Sequence, residues 1–352
     1  MDDFNEYIRQ GEPNKAERAK TWQTAIGLQK VDNLEVSEYL VDTARKHIEG
    51  DIKLSEVRAL VDSYYQKKVA RKNINRQKEA DDVSVRITEL LSEKTFTFSP
   101  VGLIAIHKHL FSGLYEFAGA FRDYNITKKE WVLDNDTVLY ASASDLSDTL
   151  EYDFNKEKNF DYSKCSIAVA IEHIAKFISG IWQIHPFGEG NTRTTAVFLI
   201  KYLHTFGFPV NNDLFKEHSW YFRNALVRAN YTNLQKGISA TPRFLLMFFR
   251  NLILGENNPL KNRQMHILYD GENSKSAKSL SLKCQNGTLK CTFEELALLN
   301  AIKQTPSITQ QQLAEQLGKS PRTLKRMTVD LQSRGYLARK GGRKLGFWEV
   351  LI

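Results

Sequence analysis

Apolar residues recur at three- and four-residue spacing along most of the chain, which predicts a mainly helical protein. The first eighty residues carry three short runs of this kind: Trp22, Ile26, Leu28 and Val31; then Val36, Leu40, Ala44 and Ile48; then Leu54, Val57, Val61 and Tyr65. Asp32-Asn33 and Glu49-Gly50-Asp51 stand between them as turn signals. Three helices with tight corners are expected, too small and polar to hold a generous core alone. Residues 67–82 are charge-rich and read as an exposed helix or connector. A helix follows over 83–91. Ser99-Pro100 opens another that runs through Leu103, Ile106, Leu110 and Leu114 to Gly119.

From Arg122 to Ser142 the period changes. Ile126-Thr127, Trp131-Val132-Leu133, a polar tip at Asp134-Asn135-Asp136, and Thr137 to Tyr140 predict a β-hairpin, expected as a flap over a site rather than a sheet core. Residues 167–184 carry a clear helical stripe. The next run, with Val197, Leu199, Ile200 and Leu203, is apolar on most faces and suits a central helix buried on all sides. Helices over about 213–228 and 242–253 come next. Residues 257–287, rich in Asn, Ser, Lys and Gly, read as a linker. A small module then begins with a Thr292–Glu295 capping box, a second helix capped by Thr309, and a third opened by Ser320-Pro321. Two strands about Gly341-Gly342 close it. Three helices and a terminal hairpin are the order of a winged helix-turn-helix. The expected domains are a helical segment over 1–80, a helical core with its flap over 83–255, a linker over 256–287 and the winged module over 288–352.

Charge sharpens the last assignment. The net charge is +8, and residues 302–352 hold ten Lys/Arg against three Asp/Glu. A polyanionic partner is expected for that segment. Arg322, Lys325 and Arg326 share a face of its third helix, and Arg343 and Lys344 sit at the hairpin turn, the arrangement of a recognition helix and wing on DNA. The chain opens on an acidic stretch without the apolar run of a signal peptide, and no uncharged stretch is long enough to span a bilayer. Cys165, Cys284 and Cys291 have no zinc spacing and read as reduced thiols, so a cytoplasmic protein with no membrane partner is expected.

The chemistry concentrates between the two most apolar helical runs, in Ile184-His185-Pro186-Phe187-Gly188-Glu189-Gly190-Asn191-Thr192-Arg193. The start of the second helix offers unpaired N–H groups and partial positive charge, suited to phosphate. Gly188 and Gly190 let the backbone approach an anion closely. Asn191 is a natural N-cap and a phosphate donor, and Arg193 can fork onto two phosphate oxygens. Glu189 supplies a hard oxygen ligand of the kind Mg²⁺ takes beside substrate phosphates. His185 titrates near neutrality and can take a proton from an incoming hydroxyl.

This stretch, H-P-F-G-E-G-N-T-R-T-T-A, resembles the signature loop of the Fic/Doc (Fido) family, H-P-F-x-D/E-G-N-x-K/R-x-x-R, and the resemblance extends over roughly residues 90–255. It implies an all-α core that binds ATP with Mg²⁺ and moves AMP onto a Ser, Thr or Tyr hydroxyl of a target protein. It implies His185 as general base, Glu189 as the Mg²⁺ ligand, and Phe187, Gly188, Glu189, Gly190, Asn191, Thr192 and Arg193 as the nucleotide cradle. The 122–140 hairpin resembles the family flap, which docks the target by strand addition. Two positions depart from the pattern. Ala196 replaces the later arginine, the partner of the γ-phosphate, and Thr192 replaces a common glycine.

The N-terminal helices resemble the small antitoxins that accompany such enzymes, whose S/T-x-x-x-E-G/N corner blocks γ-phosphate placement. Here the corners read Leu28 to Asp32-Asn33 and Arg45 to Glu49-Gly50. Asp32 and Asn33 are the preferred regulatory candidates and Glu49 the second. With Ala196 at the later position, the blocking salt bridge has no evident partner. Two other functions stay open: a DNA-binding regulator whose core senses nucleotide, and a transferase or hydrolase of another phosphate-linked group.

Overall fold

The computed structural model describes residues 4–67, 74–208, 210, 214–269, 291–341 and 346–351. Among the described residues it is mainly helical, with one small antiparallel strand pair. The chain forms two compact units. The first comprises Met1–Lys158, Ala175–Ile200 and Asn211–Gly271; the second comprises Asn159–Ile174, Lys201–Val210 and Glu272–Ile352.

The first unit starts with α1 (Asn5–Gln10), α2 (Pro13–Gly27), a 3₁₀ turn (Leu28–Asp32), α3 (Glu38–Glu49), α4 (Leu54–Lys67) and α5 (Ile74–Ser92). Trp22, Leu40, Ile48 and Val57 are fully buried between them. Asp81 on α5 ties the bundle: its carboxylate accepts from the Ser37 N–H (2.8 Å), the Ser37 hydroxyl (2.5 Å) and the Tyr65 hydroxyl (2.7 Å). Burial pushes this carboxyl up to about 6. Helix α5 runs through residues 80–83 without a break, and Ala80 and Asp81 are buried in a stretch expected to be an exposed helix or connector.

Next come α6 (Pro100–Phe111), α7 (Leu146–Lys158), α8 (Ile167–Ile184), α9 (Asn191–Thr205), α10 (Leu214–Asn230) and α11 (Arg243–Leu254). Ser99 caps α6 by accepting from the Gly102 N–H at 3.0 Å. That helix ends at Phe111, short of the predicted Gly119, and the turns beyond it stack Tyr115 between Phe111 and Phe117. Helix α8 is long and apolar enough to match a bilayer by composition, which the absence of long uncharged runs did not predict. Ile171, Ile174, Ile178, Ile181 and Trp182 are each at most 2% exposed, so it is a core helix here. Helix α9 is buried on all sides as its sequence predicts: from Asn191 to Ile200 no residue exceeds 5% exposure.

Residues 122–142 reverse direction but form no strand ladder. A 3₁₀ turn (Trp131–Leu133) replaces the strand expected before the tip, closed by Glu130 N–H to Asp136 C=O (3.0 Å) and Asn135 N–H to Glu130 C=O (3.1 Å). The cause is burial. Val132 and Leu133 are both buried, and the Val132 carbonyl accepts from the Ile267 N–H at 3.0 Å, so the tip is anchored rather than alternating. The start of the predicted linker is likewise ordered: Asn224 on α10 donates to Asn262 at 2.8 Å. The rest of that linker, with Cys284, falls among residues 270–290, outside the described residues.

The second unit holds α12 (Phe293–Gln304), α13 (Gln310–Gln316), α14 (Pro321–Ser333), β1 (Leu337–Lys340) and β2 (Phe347–Val350), with Leu337 opposite Val350. Thr292 and Thr309 both form complete capping boxes. This unit is larger than the predicted module. Phe293 is fully buried, with Tyr162, Phe206 and Phe208 at ring distances of 5.5, 5.3 and 4.6 Å. Phe293→Ala should therefore cost about 3–5 kcal/mol of stability by chemical denaturation. Unchanged stability would mean that the winged module stands without those rings.

Candidate functional site

The loop between α8 and α9 is held from several sides. His185 leaves α8 in a left-handed conformation, φ 52°. Arg122 clamps its backbone: Nε donates to the His185 carbonyl (2.8 Å), Nη2 to Ile184 (3.2 Å) and Ala141 (2.5 Å), Nη1 to Tyr124 (2.6 Å), and the Arg122 N–H to Pro186 (2.9 Å). Gly190 has φ 76°, and a Cβ there would lie 2.3 Å from the Phe111 ring, so the residue type is fixed twice over. Asn191 braces the turn. Its Oδ1 accepts from the Phe187 N–H (3.0 Å) and its Nδ2 donates to the Phe187 carbonyl (2.7 Å), so its amide serves the loop itself. Thr192 is buried and accepts from the Trp182 indole N–H at 3.0 Å.

Sequence reasoning missed a second histidine beneath the loop. His107 on α6 stacks on Phe187 at 3.7 Å. Its Nε2–H donates to the Glu189 carbonyl (3.1 Å), and its Nδ1 accepts from the Gly119 N–H (2.9 Å). One neutral tautomer satisfies both, and burial pushes its pKa down to about 4. A full-volume aromatic with opposed donor and acceptor thus fixes where the Glu189 peptide points.

His185 is 3% exposed, beneath the Tyr140 ring at 4.3 Å. Its Nδ1 lies 3.1 Å from the Trp182 carbonyl, which can only accept, so Nδ1 carries the proton and Nε2 the lone pair. Burial first, then the Lys128 charge, holds its pKa well below the ordinary histidine value. The ring is a neutral acceptor throughout the physiological range.

Arg193 departs most from expectation. It is 2% exposed and does not face outward. Its Nε lies 2.8 Å from Asp32 Oδ2 as an ion pair without hydrogen-bond alignment. Its Nη2 donates to Glu79 (2.7 Å), Nη1 to Gln29 (3.2 Å), and the guanidinium stacks on Phe111 at 4.8 Å. Tyr115 adds a hydrogen bond to Glu79 at 2.7 Å. Asp32 also pairs with Arg223 on α10 (3.2 Å), which forks onto Glu130 of the flap (3.1 Å to each oxygen). Asp32 therefore has partners after all, Arg193 and Arg223, and needs none at Ala196. Asn33 caps the turn with φ 54°, its carbonyl and that of Asp32 accepting from Arg76 (3.1 and 3.2 Å). Glu49 is not brought to the loop: it pairs with Lys15 at 2.7 Å, and Gly50 caps its helix.

Glu189 is half-exposed, and its Oε2 lies 2.8 Å from Lys128 Nζ. No group of three or more metal-ligating side chains occurs among the described residues. A single exposed carboxylate on the loop is compatible with Mg²⁺, which takes one or two protein carboxylates and completes its shell with other oxygen ligands and water. In the second unit, Arg322, Lys325 and Arg326 are all exposed on α14, with the exposed Val329 following them on the helix. Arg343 and Lys344 lie outside the described residues.

A helical core with a braced loop between α8 and α9, and a helix-turn-helix with a wing, are the two parts of the chain. Residues 97–203 match the model of the Fic/DOC family, and residues 295–338 match that of winged helix-turn-helix DNA-binding domains. The chain thus carries a Fic/DOC domain and a winged helix. A crystal structure of a Fic family protein from Desulfovibrio desulfuricans G20 is similar at 13% identity and a TM-score of 0.46, covering 98% of this chain and 90% of that one.

The ion cluster predicts a measurable coupling. Asp32→Ala leaves part of the buried Arg193 and Arg223 charge uncompensated, so stability should fall by about 1–3 kcal/mol. Adding Arg193→Met should recover part of that loss in a double-mutant cycle. Strict additivity would mean that the two side chains do not interact.

Proposed function

We propose that the Fic domain transfers AMP from ATP to a hydroxyl of a target protein, and that the winged helix binds duplex DNA. The observation that carries this reading is His185, a neutral ring with a fixed Nε2 lone pair beside the N-terminus of α9. The acceptor oxygen attacks the α-phosphorus, the bond to the β-phosphate oxygen breaks, and pyrophosphate leaves. His185 Nε2 takes the hydroxyl proton. The first-turn amides of α9 and its dipole hold the phosphates. Glu189 would hold Mg²⁺, which supplies charge neutralisation on the phosphates. Catalysis on this scheme is mostly positioning and electrostatics. The extended arm at 137–142, with Leu139 84% exposed, offers an edge to the target chain.

The scheme requires a change of state. Tyr140 covers His185, and Arg193 is committed to Asp32 and Glu79. The Asp32 corner is therefore an inhibitory contact made with Arg193. Asp32→Ala should raise automodification sharply, and an unchanged level would reduce the segment to scaffolding.

Incubation with α-labelled against γ-labelled ATP tests the transfer. Protein label from the α-position alone, lost in His185→Ala, is expected; γ-label on protein would assign phosphoryl transfer instead. Because the His185 pKa is depressed, its neutral form persists as pH falls from 8 to 6.5, and the rate should not decline over that range through this group. A decline with a midpoint near 6.5 that tracks His185 would contradict its buried, neutral state.

DNA binding by Arg322, Lys325 and Arg326 should be strongly salt-dependent. Removing one phosphate-contacting cation should reduce the slope of log K against log salt by about one. Absence of duplex binding at low salt would rule out this part of the reading. Nucleotide binding without transfer of label would instead favour a DNA-bound nucleotide sensor.

A further inference from the structure

Among the described residues, the loop's own arginine and the arginine that clamps it are already committed. Arg193 is spent on two carboxylates and an amide, and the surrounding cluster sets Arg193 and Arg223 against Asp32, Glu79 and Glu130, two positive charges to three negative. Arg122 is committed to four carbonyls. A helix N-terminus alone carries only about half a positive charge. Lys128 differs from all of these. It enters from the flap arm, its side chain is 20% exposed, and among the described residues its ammonium pairs with the exposed carboxylate of Glu189 on the loop, 2.8 Å away. Its charge also reaches His185 closely enough to help hold that ring neutral.

We propose that Lys128 is a phosphate-binding residue of the donor site, exchanging its pairing with Glu189 for the phosphate oxygens of a bound nucleoside triphosphate. The proposal rests on the nucleotide reading above and deepens it. A flexible four-carbon stem and a point charge suit such an exchange, which a buried bidentate arginine resists. Two consequences follow from the position. The Glu189 carboxylate is released toward a metal as the phosphates arrive. The flap arm is held beside the nucleotide, because Lys128 lies two residues from Glu130, which Arg223 pins to α10. Donor binding would in this way shape the surface that meets the target chain.

The test is binding rather than turnover. Affinities for a non-hydrolysable ATP analogue and for adenosine are measured by calorimetry in chelator and in Mg²⁺. The proteins are wild type, Lys128→Ala and Lys128→Arg, each with and without Asp32→Ala. Thermal unfolding checks that each variant is folded. Lys128→Ala should weaken the analogue by about tenfold or more in chelator, leave adenosine unchanged, and be largely rescued by Lys128→Arg. Equal analogue affinity in wild type and Lys128→Ala would overturn the assignment while leaving the nucleotide reading intact. If neither wild type nor Asp32→Ala binds the analogue, the nucleotide reading and this proposal fall together. If the Lys128 effect is present but no α-label reaches protein, only the transfer reading fails.

Discussion

The charge of Arg193, buried at the start of a helix that is itself buried, is the constraint around which the first unit is arranged. A guanidinium cannot shed its charge to enter the interior, so it must be neutralised in place. Three parts of the chain meet that demand. The turn after α2 brings Asp32 and Gln29, α5 brings Glu79, and α6 brings the face of Phe111. Asp32 then engages Arg223, and Arg223 engages Glu130 of the flap. One chain of alternating charges links the N-terminal helices, the loop, α10 and the flap. A cluster of this kind adds little net stability over an apolar core, but it is costly to break from one side. It therefore favours one arrangement of the loop over others.

Around that anchor the loop is built mainly from backbone constraints. Arg122, His107 and Asn191 each engage main-chain groups of the segment between Ile184 and Glu189. The glycine at 190 is dictated by the ring of Phe111, which also stacks on Arg193. Positions that look like ligand contacts in the sequence thus divide into two groups. Asn191, Thr192 and Arg193 hold the loop in shape, while the Glu189 carboxylate is exposed. Burial likewise accounts for a neutral His185: it is isolated from water, and its proton is fixed toward the Trp182 carbonyl.

Much of this was legible in the sequence. The helical period, the Ser99, Thr292 and Thr309 caps and the apolar run from Val197 to Leu203 in α9 are local signals, and local signals survive folding. The Asp32 corner was also singled out, though its partner was not. What was not legible arises from distance along the chain. Nothing near Asp32 specifies Arg193 or Arg223, and nothing near Lys128 specifies Glu189. The flap failed as a hairpin because Val132 and Leu133 are both buried, a tertiary demand that overrides alternation. The winged module reads as independent because its caps and turns are complete, yet Phe293 packs on rings from residues 162, 206 and 208.

The central proposal is that the contact of Asp32 with Arg193 holds the loop in a form that binds the donor nucleotide weakly. Calorimetric titration of ATP into the wild-type protein and into Asp32→Ala tests it most directly. The account predicts tighter ATP binding once the carboxylate is removed, with adenosine affinity unchanged. Equal or weaker ATP binding by Asp32→Ala, in a protein that remains folded, would contradict it.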